Sequence, residues 1–202
     1  MGCSTSIDNQ KLPVTEVNTP PVKEFSFRPR QHKPDIISFD DYGKTKKLSE
    51  LTYEDREHIR ETWKYMEPNM TANGVGIFKR IFAYSPEVKV LFEVSHVNDD
   101  AIGEHPVIKG HASRFMNAVG ASVDNLDHLE DTLTHILFNL GKQHKTFRGF
   151  DSDYFDTFYM AMTAQWETVM GGKFTREVAN AWAHLFSFMM EKLKEGYFSR
   201  NP

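Results

Sequence analysis

Two histidines lie on otherwise apolar helical stripes and are the residues of this sequence best placed to do chemistry. His111 lies among apolar residues that recur at three- and four-residue spacing, a pattern typical of one buried helix face: Val107, Ile108, Phe115, Val119 and Val123. His144 follows a second stripe, formed by Leu129, Leu133, Ile136, Leu137 and Leu140. Either histidine alone is typical of a core imidazole bonded to a backbone carbonyl. Because successive helices joined by a short turn usually pack as neighbours, the two together predict a shared apolar cleft.

The donors of this cleft limit what it can hold. A group bound between two neutral imidazole nitrogens and apolar walls must be large, apolar and carry a nitrogen-binding metal, and haem iron meets these conditions. A zinc site would need further ligands, but the sequence has no cysteine pair and no His-Glu-x-x-His motif. The repeated Glu-x-x-His pairs of a di-iron bundle are missing, and segment 151–153 lacks the later ligands of a calcium loop. A Ser/His/Asp triad stays open, although no nucleophile elbow is present.

The elements that must carry these histidines are all helical, because apolar residues recur at helical rather than alternating spacing. Thr52 and Asp55 form a capping box that opens a first helix, which Pro68 bounds, and Pro86 opens a short helix that carries Phe92. The other predicted helices cover 73–84, a segment that starts at Pro106, a segment from 129 to about 149, 154–170, and 175–196 with Trp182 facing inward. The sequence predicts an all-α fold.

Composition and charge exclude several classes of protein. The chain has 16 phenylalanines, which indicates a well-filled aromatic core. Its only cysteine, Cys3, excludes an internal disulfide framework and thiolate metal clusters. Residues 51–202 carry 16 Lys/Arg against 21 Asp/Glu without a basic stripe, so no nucleic-acid partner is expected. No apolar stretch of about 18 residues is present to span a bilayer.

The first residues match a lipidation motif. Gly2 follows the initiator methionine and Ser6 completes the N-myristoylation pattern, with Cys3 adjacent as a palmitoylation site. One myristoyl chain binds a membrane only marginally, with K of about 10⁴ M⁻¹, so a second acyl chain is needed for stable anchoring. Segment 1–47 is rich in proline and poor in aliphatics, and we expect a disordered tether there. The folded domain is then expected at 48–198, followed by a tail at 199–202.

Several landmarks occur in the order that globins show. The run 85–92, SPEVKVLF, resembles the short globin helix whose proline precedes by six residues the phenylalanine that packs against haem. His111 falls at the distal position, His144 in LGKQH at the proximal position, and Trp182 in ANAW resembles the last helix. Segment 48–198 thus resembles the globin domain of the neuroglobin-like animal globins, and with the acylation motif the chain most resembles the globin X group.

The resemblance implies a globin fold of six to eight helices, three over three, that holds one haem b without a covalent bond. His144 is then the proximal iron ligand. A ligating imidazole donates its other N–H to a carbonyl or similar group, and the end of a helix offers free carbonyls. For His111 the resemblance leaves two roles, a sixth iron ligand or a hydrogen-bond donor to bound oxygen.

The predicted pocket wall favours the first of these roles. Phe78, Phe92 and Phe115 align with positions on the distal side, and Leu140 is expected to contact haem as well. Phe115 replaces the usual smaller aliphatic and would fill volume that an iron-bound gas needs. We therefore expect bis-histidyl coordination through His111. Arg114, three residues after His111, is placed either to pair with a haem propionate or to lie solvated at the surface.

Four functions are considered for this chain, three with haem and one without. The first is a membrane-tethered redox, electron-transfer or signalling globin on the cytoplasmic face of a membrane, the plasma membrane above all, or otherwise in the cytoplasm. Its partners would be a small-molecule or protein electron donor and the membrane. The second is reversible binding, storage or sensing of oxygen, nitric oxide or another diatomic gas. Nothing beyond the haem favours an enzyme, such as a nitrite reductase or a peroxidase-like globin. A haem-free helical interaction protein is the fourth.

Overall fold

The computed structural model of the chain describes residues 51–200. This part contains six α-helices and no β-strand, which confirms the all-α prediction. The α-helices are α1 (Tyr53–Trp63), α2 (Met70–Tyr84), α3 (Pro106–Asp124), α4 (Leu129–Thr146), α5 (Tyr154–Met170) and α6 (Arg176–Phe198). Short 3₁₀ helices lie at Glu67–Asn69, Pro86–Phe92, Ile102–Glu104 and Gly171–Lys173. The expected lipidation residues Gly2 and Cys3 and the expected tether at 1–47 lie outside the described residues.

Helix ends mostly follow the local signals in the sequence. The Thr52 hydroxyl accepts from the Asp55 backbone N–H at 3.1 Å and the Asp55 carboxylate accepts from the Thr52 N–H at 3.0 Å, so the predicted capping box is present. The largest difference from the prediction is that α2 begins at Met70 rather than near Asn73, because the 3₁₀ turn that contains Pro68 leads directly into it. The short helix that Pro86 opens is present and is a 3₁₀ helix.

The six helices pack in two layers. One layer contains α1, α3 and α4, and the other contains α2, α5 and α6. Across the layers, α3 packs on α2, while α1 and α4 both pack on α6, and α5 lies beside α2 and α6. This is the three-over-three arrangement that the resemblance to globins implies. None of the helices in segment 51–200 has both the length and the apolar character needed to cross a bilayer.

An aromatic cluster and one polar contact fix α1 against α6. Trp182 is buried, as predicted, and its ring lies 5.2 Å from that of Trp166 and 5.4 Å from that of Phe186. Its indole N–H donates to the Thr62 hydroxyl at 2.9 Å. The indole therefore buries a large apolar surface without leaving its one donor unsatisfied, which is the condition for a tryptophan in a core.

Glycines allow the two helix crossings that position the histidines. A Cβ on Gly74 of α2 would lie 2.7 Å from the carbonyl oxygen of Ala112, the residue that follows His111 on α3. A Cβ on Gly141 of α4 would overlap the carbonyl of Leu193 on α6, and one on Gly196 of α6 would overlap the carbonyl of Phe138. Backbones approach this closely only where no side chain intervenes. The glycines therefore set the separation of α2 from α3 and of α4 from α6.

Two residues of the predicted stripes are not in the core. Val107 is 47% exposed in the first turn of α3, and Ile136 is 61% exposed on α4. Leu133 and Leu137 of α4 are buried instead, because the face that α4 turns toward α6 is narrower than the apolar stripe in its sequence. The expectation that Val107 and Ile136 face inward was wrong.

We expect Gly141→Ala to destabilise the protein although alanine is the better helix former. The helix propensity gain is about 1 kcal/mol. The methyl group must displace the α6 backbone, and overpacking of this kind costs about 1–3 kcal/mol and sometimes more. Because the overlapped atoms are backbone, the upper end of this range applies, and urea unfolding of the full-length protein should show a net loss of about 2 kcal/mol.

Gly172→Ala is the matched control, because a Cβ there meets no atom within 4 Å. Equal effects of the two substitutions on the free energy of unfolding would contradict a role of Gly141 in the crossing of α4 and α6.

Candidate functional site

His144 is fixed in the last turn of α4 by the helix itself. Its Nδ1 lies 2.8 Å from the carbonyl oxygen of Leu140, four residues earlier. A carbonyl only accepts, so Nδ1 carries the ring proton and Nε2 keeps its lone pair. The predicted site residue Leu140 thus acts through its backbone, and its side chain packs against the core. No described residue makes a hydrogen bond to Nε2 of His144.

Three phenylalanines surround the His144 ring. Ring centroids lie 4.9 Å away for Phe150, 5.5 Å for Phe155 and 6.0 Å for Phe147. The hydroxyl of Tyr197 on α6 donates to the carbonyl of Phe150 at 3.1 Å, which fixes the loop after α4. His144 is thereby held on one side by its own helix and on the other by this loop.

His111 lies on α3 between two predicted wall residues. Its ring centroid is 5.2 Å from that of Phe78 and 5.1 Å from that of Phe92, each in an edge-to-face arrangement. Phe78 and Phe92 are themselves 5.5 Å apart. Phe115, one turn after His111, packs edge-on against Phe158 of α5 at 4.6 Å, and Phe158 also contacts Phe78. These rings form one aromatic wall on the α3 side.

Arg114 lies exposed on α3 beside His111. Its Nη2 lies 3.3 Å from Nδ1 of His111, and its Nη1 lies over Gly110. Within residues 51–200 the guanidinium is in no ion pair, so its positive charge stands at the edge of the site without a carboxylate beside it.

Both imidazoles are neutral near pH 7. Desolvation by burial, the positive charge of Arg114 and the proximity of His144 lower the pKa of His111 to about 4. Burial also lowers the pKa of His144, and the hydrogen bond to Leu140 opposes that shift only in part. The positive charge of Arg114 acts on His111 alone, and the contribution of His144 is the smallest of the three. That the two rings face one cleft stays a prediction of the sequence.

Four aromatic residues of the site were missing from the sequence prediction: Phe147, Phe150, Phe155 and Phe158. The first three follow His144 within eleven residues, and this density of phenylalanine was the available signal. Phe147 and Phe150 lie after the end of α4 and outside any helical stripe, whereas Phe155 lies in the first turn of α5. Phe158 belongs to α5, and only the packing of α5 against α2 brings it to Phe78.

The residues present fit a haem. The donor set is two neutral imidazoles that no carboxylate contacts within the described part of the chain, and Nε2 of each ring is free of hydrogen bonds to described residues. Neutral imidazole is a preferred iron ligand, and aromatic walls match the apolar macrocycle. Arg114 suits a propionate carboxylate at the edge. No group of three or more His, Cys, Asp or Glu that could hold another metal occurs among residues 51–200.

Comparison with known proteins identifies the family of the chain. The sequence profile of the globin family matches residues 75–193. Neuroglobin of Dissostichus mawsoni is 27% identical over 153 residues, which cover 74% of this chain and 94% of that protein. Neuroglobin of Danio rerio is 26% identical with the same coverage of both chains, and cytoglobin-1 of Oryzias latipes is 28% identical over 73% of this chain and 84% of its own length.

A solved structure shares the fold. The crystal structure of a hexacoordinated heme protein from an anhydrobiotic tardigrade at pH 4 superposes with a TM-score of 0.69 at 23% identity, covering 74% of this chain and 96% of that one. The expectation of a neuroglobin-like animal globin is confirmed, whereas the finer resemblance to the globin X group stays a prediction. Because the family profile covers more than half of the sequence, this chain belongs to the globins and is a haem-binding protein.

Proposed function

We propose that the chain is a membrane-tethered redox globin that binds one haem b between His144 and His111. The observation that carries the proposal is that two half-buried imidazoles each pack among phenylalanine rings and each have an Nε2 without a hydrogen bond to a described residue. Bound haem supplies an iron that changes between ferric and ferrous states and that can bind diatomic gases. Nε2 of His144 is the proximal ligand, and Nε2 of His111 is the second ligand in the resting protein.

The surroundings of His144 support a permanent ligand. The Leu140 carbonyl fixes the ring orientation and increases the electron density on Nε2, as an acceptor opposite a ligating nitrogen does. Phe150 and Phe155 restrict rotation of the ring. A histidine held in this way pays little conformational entropy on ligation.

The wall around His111 supports bis-histidyl coordination. Phe78 and Phe92 hold the imidazole edge-on, and Phe115 with Phe158 fills volume next to it. Little space is then left for a gas unless His111 moves. If both imidazoles stayed bound in the ferric and ferrous states, the coordination of iron would change little on electron transfer. That would favour electron exchange with a small-molecule or protein electron donor.

The membrane tether rests on the sequence motif at Gly2 and Cys3. Myristate on Gly2 and palmitate on Cys3 would give the two acyl chains that stable anchoring requires. The globin domain would then lie at the cytoplasmic face of a membrane, the plasma membrane above all.

Reversible binding of oxygen or nitric oxide is the second candidate, and one contact favours it. The Arg114 guanidinium donates to Nδ1 of His111, which leaves the ring with an N–H at Nε2. In that form His111 is a hydrogen-bond donor to a bound gas rather than an iron ligand.

The two histidine substitutions should have different effects. His111→Leu removes the second ligand only, so the unliganded ferrous protein should change from the split, sharp visible bands of a six-coordinate haem to one broad band. His144→Leu should weaken haem retention more than about tenfold, equivalent to about 1.4 kcal/mol, measured by haem transfer to an acceptor globin.

His135→Leu is the control, since His135 lies exposed on the same helix as His144. A broad five-coordinate band in the unsubstituted ferrous protein would contradict the bis-histidyl assignment.

Gly2→Ala should release the protein from membranes, because alanine at this position is not myristoylated. When cells that express the variant are fractionated, nearly all of it should be recovered in the soluble fraction. Cys3→Ser should leave one acyl chain and partial, salt-independent membrane recovery. Ser4→Ala is the control. Membrane recovery of Gly2→Ala equal to that of the unsubstituted chain would show that the tether is not lipid.

A further inference from the structure

We infer that Arg114 decides which ring nitrogen of His111 carries the proton and thereby sets the balance between His111 as an iron ligand and His111 as a hydrogen-bond donor. The inference deepens the proposed haem site and rests on it. Arg114 is thus a positioning residue that acts through His111 and needs no contact with iron or gas.

The hydrogen bond between the two side chains has only one possible direction. A guanidinium has five N–H donors and no acceptor, so at 3.3 Å from Nη2 the Nδ1 atom of His111 must accept. A neutral imidazole that accepts at Nδ1 carries its proton at Nε2. The two residues are three positions apart on α3, where helix geometry brings side chains together.

His144 has the opposite arrangement. Its Nδ1 faces the Leu140 carbonyl, which only accepts, so the proton is at Nδ1 and the lone pair at Nε2. The two histidines of the proposed site therefore carry their ring proton on different nitrogens, because one faces the Leu140 carbonyl and the other the Arg114 guanidinium. His144 presents a lone pair, and His111 presents an N–H.

Ligation through Nε2 requires His111 to adopt the form that His144 already has. The proton must be at Nδ1, where it would point at a guanidinium N–H, so the contact with Arg114 must break before His111 binds iron. Arg114 is exposed and is in no ion pair within the described part of the chain, so it can rotate toward solvent. One such hydrogen bond shifts an equilibrium by about fivefold to tenfold.

Nitrogen-15 NMR of the histidine rings tests the assignment directly. Full-length ferrous protein saturated with carbon monoxide is diamagnetic, and its His111 is not an iron ligand. We expect the His111 proton at Nε2 and a hydrogen-bonded acceptor shift at Nδ1 that is lost in Arg114→Met. A proton at Nδ1 of His111 in the unsubstituted protein would overturn the inference.

Coordination supplies the second test. Arg114→Met should increase the occupancy of His111 on iron, so the observed rate of carbon monoxide binding to the ferrous protein should fall about fivefold to tenfold. Arg176→Met is the matched control, because Arg176 is also exposed but lies at the start of α6. Faster haem loss with an unchanged carbon monoxide rate would mean that Arg114 serves only a haem carboxylate, and it would overturn the inference.

Failure of the proposed resting state gives a separate result. If the unliganded ferrous protein is five-coordinate, the bis-histidyl proposal fails. The role of Arg114 is then judged by the NMR result and by oxygen dissociation. Arg114→Met should release oxygen several times faster because the Nε2 donor is less well fixed, and an unchanged dissociation rate would count against the inference.

Discussion

Two half-buried imidazoles are held neutral among phenylalanine rings without a carboxylate beside either of them in the described chain, and much of the structure serves that arrangement. Charging an imidazole there would cost hydration, so desolvation lowers the pKa of both rings and leaves each with one N–H and one lone pair, the lone pair being at Nε2 in His144 and at Nδ1 in His111. The charge of Arg114 acts in the same direction on His111. The apolar wall therefore has two effects. It matches the apolar haem macrocycle, and it keeps the histidine rings neutral.

The helices that carry the two histidines are each positioned by a close backbone contact with a neighbouring helix. Gly74 brings α2 against Ala112, directly after His111, and Gly141 brings α4 against α6 one turn before His144. Packed helices do not deform continuously, so each crossing determines where its histidine lies. The hydrogen bond from Trp182 to Thr62 fixes α1 on α6, which in turn supports α4.

Sequence reasoning found the features that local patterns encode. The capping box at Thr52, the start of α3 at Pro106 and the half-buried positions of His111 and His144 all follow from spacing and side-chain type. Positions that depend on tertiary contacts could not be predicted from local patterns. Ile136 continues an apolar stripe but lies outside the face that meets α6. Phe150 contacts His144 from a loop, where no helical spacing of apolar residues marks it. The spacing of His111 and Arg114 predicts proximity, but only coordinates show that Nδ1 is the atom that accepts.

If Nε2 of His111 and Nε2 of His144 both hold iron in the resting protein, electron paramagnetic resonance of the full-length ferric protein at neutral pH should show it. We expect a single low-spin signal with hyperfine coupling to nitrogens of two imidazoles, both sensitive to nitrogen-15 labelling of histidine. A dominant high-spin signal, or coupling to one imidazole only, would rule out ligation by both histidines.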